Sequence, residues 1–262
     1  MSVQMVEQAD HVWTGKSEDE LRVELAACCQ LMDVYGMTNM ARSHISVRAP
    51  GPEPTFLINP LGSFFEEVTA SSLIKVDMHG NVVEGHVDQL NPAGFVIHSA
   101  VHMAQEANQC VLHTHTRATV AVGIMEEGLM PLSQSALLLH DFLRYHEFEG
   151  AALDLNERER IVRDLGPDGR CMLLRNHGAL TVGRTAAEAF CWMFRLDTAC
   201  AIQVDALSGG RRLRELSRET ILRTAAQGRR VLGPGGLGEC GKLEWGALIR
   251  KLERERGTSD RN

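Results

Sequence analysis

Cys110-Val111-Leu112-His113-Thr114-His115-Thr116-Arg117 is the stretch on which the fold turns. A helical period running from Ala93 to Ala107 gives way there to a strand-like run. Residues two apart in an extended chain point to one face, so His113 and His115 project together. Paired imidazoles make a bidentate seat for Zn, Fe, Mn or Ni. The other reading is two unrelated polar side chains on a solvated strand. Val111, Leu112, Val120, Ala121 and Val122 make the surroundings apolar, where two idle imidazoles are costly.

A third ligand has to come from elsewhere, and His177 is the best placed. It follows the apolar run Cys171–Leu174 and precedes Gly178, where backbone can approach closely. A turn histidine that merely caps the strand is the alternative. His98 and His102, four apart on the expected helix, share a face and are either ligands or polar partners.

Outward from this stretch, Ser17 and Glu20 form a capping-box signature ahead of the helical spacing of Leu21, Leu25, Cys28, Cys29 and Met32. Residues 44–50 and 55–60 read as strands, and 71–85 as two short strands around His79-Gly80-Asn81. The polar stretch 154–164 predicts an exposed helix. Thr185 and Glu188 open another helix that runs to about Leu207 and stops at Ser208-Gly209-Gly210. The expected organisation is a loose arm over 1–16, a domain over 17–232, and a Gly-rich link with a last helix over 233–262 that packs on the same domain or on a neighbouring subunit. Helices and strands alternate irregularly with hairpin signals among them, as in one α/β or α+β domain with helical layers around a mixed sheet.

Bulk properties exclude several classes. The net charge of −7 argues against a nucleic-acid binder driven by charge. The charge is uneven: residues 208–262 hold 13 basic and 7 acidic residues, or +6, which leaves −13 for residues 1–207. This basic segment, with Arg211, Arg212, Arg214, Arg218, Arg223, Arg229 and Arg230, is either an inter-subunit surface or a solvated helix face. Seven cysteines without a CxxC pair are not a disulfide framework and fit a reducing cytosol. Neither a signal peptide nor a membrane-spanning apolar run is legible, so a cytoplasmic protein without membrane contact is expected.

His140 and His146 flank Leu143-Arg144-Tyr145, where Tyr145, His146 and Glu147 form a dense titratable cluster, able to supply acid and base or simply an exposed loop. The Gly-rich run 233–242 lacks the GKS or GKT ending of a phosphate loop.

These pieces together resemble the class II aldolase and adducin family. The resemblance runs from about Leu21 to Leu207 and is carried by HISVR (44–48), FLINPLG (56–62), EVTASSLIKVD (67–77), NPAGFVIHSAVH (91–102), LLRNHGALTVG (173–183) and EAF (188–190). KLEWGALIRKLE (242–253) is similar to the tail of the adducin head domain. The resemblance implies a three-layer α/β/α sandwich around a mostly antiparallel central sheet, and a homotetramer with active sites between subunits. It also implies that His113, His115 and His177 hold a divalent metal, zinc first, with manganese or iron as alternatives. Adducin has lost part of this set, whereas this chain keeps all three.

Departures from the sugar-phosphate aldolases of the family are as informative. Their acidic residue nineteen positions before the first strand histidine is Gly94 here. Their phosphate-holding serines become Pro92 and Ala93, and a Gly-Asn pair becomes Ser43-His44. A tyrosine donated by a neighbouring subunit corresponds to Ser135. A sugar-phosphate substrate is therefore not expected, because phosphate needs clustered donors.

The functional expectation is a divalent-metal-dependent carbon–carbon lyase, by decarboxylation or retro-aldol cleavage, on a non-phosphorylated hydroxy, oxo or aromatic carboxylic acid. His146, Tyr145 and His98 are the acid–base candidates; Arg117, Asn59 and Ser135 are the substrate-binding candidates. Arg117 enters because it shares the ligands' strand face if the strand continues. The alternatives are an Fe(II)-dependent oxygenase on the same scaffold and a non-catalytic adducin-like interaction module.

Overall fold

The protein is described here by a computed structural model covering residues 15–257. The arm expected over 1–16 lies outside the described residues as far as residue 14. Eight strands form one sheet: β1 His44–Ala49, β2 Thr55–Ile58, β3 Ile74–Asp77, β4 Val82–Glu84, β5 Cys110–Thr114, β6 Leu143–His146, β7 Cys171–Leu174 and β8 Gly178–Gly183. Their order is β4-β3-β2-β1-β5-β8-β7-β6, and every pair is antiparallel except β6 with β7.

The helices are α1 Glu18–Val34, α2 Pro92–Ala104, α3 Arg117–Ile124, α4 Gln134–Leu139, α5 Glu157–Leu165, α6 Ala186–Ser208, α7 Arg218–Leu232 and α8 Trp245–Arg256. α1 and α6, joined by α3, α4, α7 and α8, cover one sheet face, while α2 and α5 cover the other. The result is the expected three-layer α/β/α sandwich. Strand alternation divides the two cores. Ile45, Val47, Cys110, Leu112, Cys171 and Leu173 meet the α1/α6 layer; Val111, Met172, Leu174, Leu180 and Val182 meet α2 and α5.

Local chemistry explains the element ends. Ser17 and Glu20 make the reciprocal capping box at α1, and Thr185 Oγ accepts from the Glu188 amide at α6. The helix expected over 154–164 is α5, but Glu157, Ile161 and Leu165 are buried against the sheet. The Gly-rich run after α7 packs closely: Cys240 is buried in the α6-side core, and a Cβ on Gly241 would come within 2.6 Å of the Ala187 backbone. α8 then lies on α1 of the same chain. Along α7 the arginines mostly face solvent, with Arg229 paired to Asp141. All seven cysteines are free and buried. Among the described residues no helix is long and apolar enough to cross a membrane.

Candidate metal centre

His44 on β1 stands directly opposite His113 on β5, near the middle of the sheet. Since Ile45 and Leu112 point into the α1/α6 core, His44 and His113 point to the α2 side. His113 Nδ1 donates to the Ala179 carbonyl at 3.0 Å, which places its proton on Nδ1 and leaves Nε2 bare. His115 follows the end of β5, and its Nε2 lies 2.8 Å from His113 Nε2.

His177 arrives from the tight β7–β8 turn. Asn176 takes φ 57°, and the His177 amide donates to Leu174 O at 3.1 Å, so the turn lifts the imidazole toward the other two. Gly178 is required there: a Cβ would sit 2.5 Å from Thr114 O and 2.8 Å from His115 Cδ2. One ligand nitrogen from each of His113, His115 and His177 lies within 4.8 Å of the others, and ring centroids are 4.5–4.9 Å apart.

The donor set fits a divalent ion. Imidazole suits zinc, manganese and iron, and three converging nitrogens supply most of a four-coordinate shell. Burial holds His113 well below the usual imidazole range, lowers His115 to about 4 with help from the charges of His177 and Arg42, and lowers His177. All three are thus neutral near pH 7, the form that binds metal. Among the described residues no carboxylate joins the converging donors.

Behind the centre runs a buried polar chain. His44 Nδ1 meets His98 Nε2 at 2.7 Å, His98 Nδ1 meets Ser46 Oγ at 2.5 Å, Ser46 Oγ meets His102 Nε2 at 2.7 Å, and His102 Nδ1 meets Asn108 O at 2.8 Å. His98 and His102 are both 0% exposed. Burial lowers His44 and His102 to about 3 and holds His98 well below its ordinary range.

The other sequence candidates divide clearly. Arg117 does not share the ligands' strand face. Thr116 caps a helix by accepting from the Thr119 amide at 3.3 Å, so the strand has ended and Arg117 is the exposed first residue of α3. Residues 143–146 are strand β6 and not an exposed loop. Its alternation sends Tyr145 toward the α6 side, where its hydroxyl accepts from the Leu129 amide at 2.9 Å and Arg175 stacks on its ring. Tyr145 is therefore on the opposite sheet face from His113.

His146 points the other way. It is buried between Asp164, 2.7 Å from Nδ1, and Glu157, 3.4 Å from Nε2, and lines a small cavity with His177. Asn59 is spent on backbone: Oδ1 accepts from the Ile45 amide at 2.9 Å and Nδ2 donates to Ser43 O at 3.4 Å. Ser135 is half-buried in α4, which packs on α6 and α7. His140 is exposed beside Asp141.

Sequence reasoning missed Ser46, the contact of His44 with His98, and Arg42, whose charge reaches His115. The period-two pair His44/Ser46 and the period-four pair His98/His102 were the available signal.

A metal-fitting histidine triad at the strand ends of an α/β/α sandwich defines an aldolase-type, metal-dependent scaffold. The sequence profile of the Class II Aldolase and Adducin N-terminal domain matches residues 23–204, and the chain belongs to that family. A Caulobacter vibrioides protein named "Putative aldolase class 2 protein" is 50% identical over 243 residues, covering 92% of each chain. The crystal structure of an aldolase II superfamily protein from Pseudomonas syringae matches with TM-score 0.85 and 43% identity, over 93% of this chain and 96% of that one. Mouse alpha-adducin is 37% identical over 94% of this chain, which spans 34% of adducin's length.

Proposed function

We propose that this chain is a divalent-metal-dependent carbon–carbon lyase that decarboxylates, or cleaves by retro-aldol reaction, a non-phosphorylated hydroxy, oxo or aromatic carboxylic acid. The observation that carries the reading is the convergence of three neutral imidazole nitrogens with no carboxylate among them. His113, His115 and His177 would hold the ion, zinc first and manganese or iron next, which would supply Lewis acidity toward a carbonyl or carboxylate oxygen.

The chain's own residues narrow the substrate. Ser43 Oγ is held by Thr114 Oγ1 and the Asn39 amide, His44 by His98, and Asn59 by backbone. No cluster of free donors is left for a phosphate at these positions. Exposed Arg42, whose charge acts on His115, replaces Arg117 as the partner for a substrate carboxylate. His146 is the proposed proton carrier: Asp164 fixes Nδ1, while Nε2 faces Glu157 in the cavity shared with His177. A cytosolic homotetramer, with Ser135 facing a neighbour's site, is the proposed working unit.

The test is metal content of the wild type, His113→Ala and His177→Ala after loading with zinc, manganese or Fe(II), followed by carbon dioxide and carbonyl release from a panel of such acids. A wild type that retains only a small fraction of an ion per chain refutes the metal-enzyme reading and favours an interaction module. Oxygen uptake with Fe(II) assigns the scaffold to an oxygenase instead.

A further inference from the structure

The buried chain behind the metal centre has only one self-consistent proton order. It starts at the Asn108 carbonyl, which can only accept. That carbonyl is held in place, since Asn108 Nδ2 donates to Val101 O at 3.0 Å and its amide to Gln105 O at 3.1 Å. His102 must therefore carry its proton on Nδ1, 2.8 Å away, and leave Nε2 bare. Each ring is buried and its hydrogen-bond partners include no carboxylate, so each is neutral with one N–H.

Ser46 has a single hydroxyl proton and must give it to His102 Nε2. Its oxygen then accepts from His98 Nδ1, which leaves His98 Nε2 bare. That nitrogen in turn accepts from His44 Nδ1. The order ends at His44 Nε2, which is bare and has no hydrogen-bond partner among the described residues, in a ring only 4% exposed.

This nitrogen belongs to a ring beside the centre. His44 is the cross-strand neighbour of His113, with ring centroids 4.8 Å apart and planes tilted by 31°. Gly94, in the first turn of α2, lets the helix pack closely on the ring: a Cβ there would lie 3.2–3.3 Å from its Cδ2, Cγ and Nε2.

We infer that Asn108, His102, Ser46 and His98 form a one-way hydrogen-bond chain that fixes His44 as an acceptor, its bare Nε2 offered to a hydroxyl group of the ligand at the three-histidine centre. His44 is the ligand-contacting residue; the other four are positioning residues. The choice of ligand rests on the proposed function, whereas the proton order does not. The chain selects a hydroxy acid over its oxo counterpart, because an oxo oxygen has no proton to give to a bare nitrogen. It also makes a remote serine decisive. Without Ser46, His98 Nδ1 loses its acceptor, its proton moves to Nε2, and His44 must reverse, turning its outer nitrogen from acceptor to donor.

Neutron diffraction from deuterium-exchanged crystals of the wild type, Ser46→Ala and Ser46→Thr reads this directly. The wild type is expected to show deuterons on Nδ1 of His44, His98 and His102; Ser46→Ala is expected to move those of His98 and His44 to Nε2; Ser46→Thr, which keeps the hydroxyl, restores them. A deuteron on His44 Nε2 of the wild type, or an unchanged His44 in Ser46→Ala, overturns the proposal.

Binding of lactate and pyruvate to the metal-loaded protein reads the consequence. About fivefold preference for lactate, the worth of one hydrogen bond, is expected in the wild type and in Ser46→Thr and is lost in Ser46→Ala. Equal binding in the wild type overturns the acceptor role. Binding of neither acid overturns that role together with the proposed substrate class, while the deuteron positions still decide the chain by themselves.

Discussion

Acid should destabilise this fold well above the pH at which carboxylates titrate, and the buried histidines set the size of the effect. His44 and His102 are lowered to about 3, with burial as the main cause, while an unfolded histidine titrates near about 6.5. A depressed histidine is neutral when folded and charged when unfolded between these values, so the unfolded chain binds more protons there. Stability is therefore fully present above about pH 6.5 and is lost as the pH falls toward about 3. At pH 5 the gap of about 1.5 units corresponds to about 2 kcal/mol for each group, or about 4 kcal/mol for the pair. His98 acts in the same direction. Against a typical domain stability of about 5–15 kcal/mol this is a large share. Urea unfolding at intervals from pH 8 to pH 5, with chelator present so that metal release does not contribute, measures it. A fall of about 4 kcal/mol or more is expected. A change below about 1 kcal/mol would refute the reasoning, since it would mean that water reaches these imidazoles in the folded state.

Other perturbations probe separate parts of the site. Gly178→Ala places a methyl group 2.5 Å from Thr114 O, so it should cost about 1–3 kcal/mol and weaken metal binding by at least about tenfold; thermal melts and metal titration check both. Asp164→Ala leaves His146 without its Nδ1 partner and should destabilise by about 1–3 kcal/mol in urea, with Asp164→Asn losing less. Gly94→Glu should fail to add a working carboxylate, because its Cβ already meets the His44 ring; the variant should be less stable, and His44→Gly in the same chain should relieve the strain, as paired melts would reveal. Arg42→Ala should weaken binding of carboxylate ligands to the metal-loaded protein while Arg117→Ala leaves it unchanged, a contrast readable by calorimetry.

Local patterns carried the parts of this protein that depend on neighbours in sequence. The alternation in Val111-Leu112-His113-Thr114 identified β5 and put His113 on a definite face, and the Ser17/Glu20 and Thr185/Glu188 signatures marked two helix starts. His177 was legible because a glycine at 178 after a buried strand signals close backbone approach, and its Cβ contacts explain that glycine. The pattern of helices and strands carried helical layers around a mixed sheet, and the sequence resemblance added the three-layer order and the mostly antiparallel pairing.

Tertiary structure decided whatever depends on which strand lies beside which, and where each one stops. Arg117 lost its place when Thr116 turned out to cap α3, because a capped helix competes successfully with extension of the strand. Tyr145 and His146 parted because residues 143–146 form a strand, whose neighbours alternate faces, and the register that sets Tyr145 beside Leu173 and His146 beside Leu174 decided which face each took. The His44–His98 contact joins residues 54 apart in sequence, and only the β1–β5 register with α2 laid across it creates that contact. Sequence by itself determined which side chains can bind a metal or pass a hydrogen bond. The fold decided their directions, because hydrogen bonding and coordination depend on distances of a few ångströms between segments that no local pattern relates.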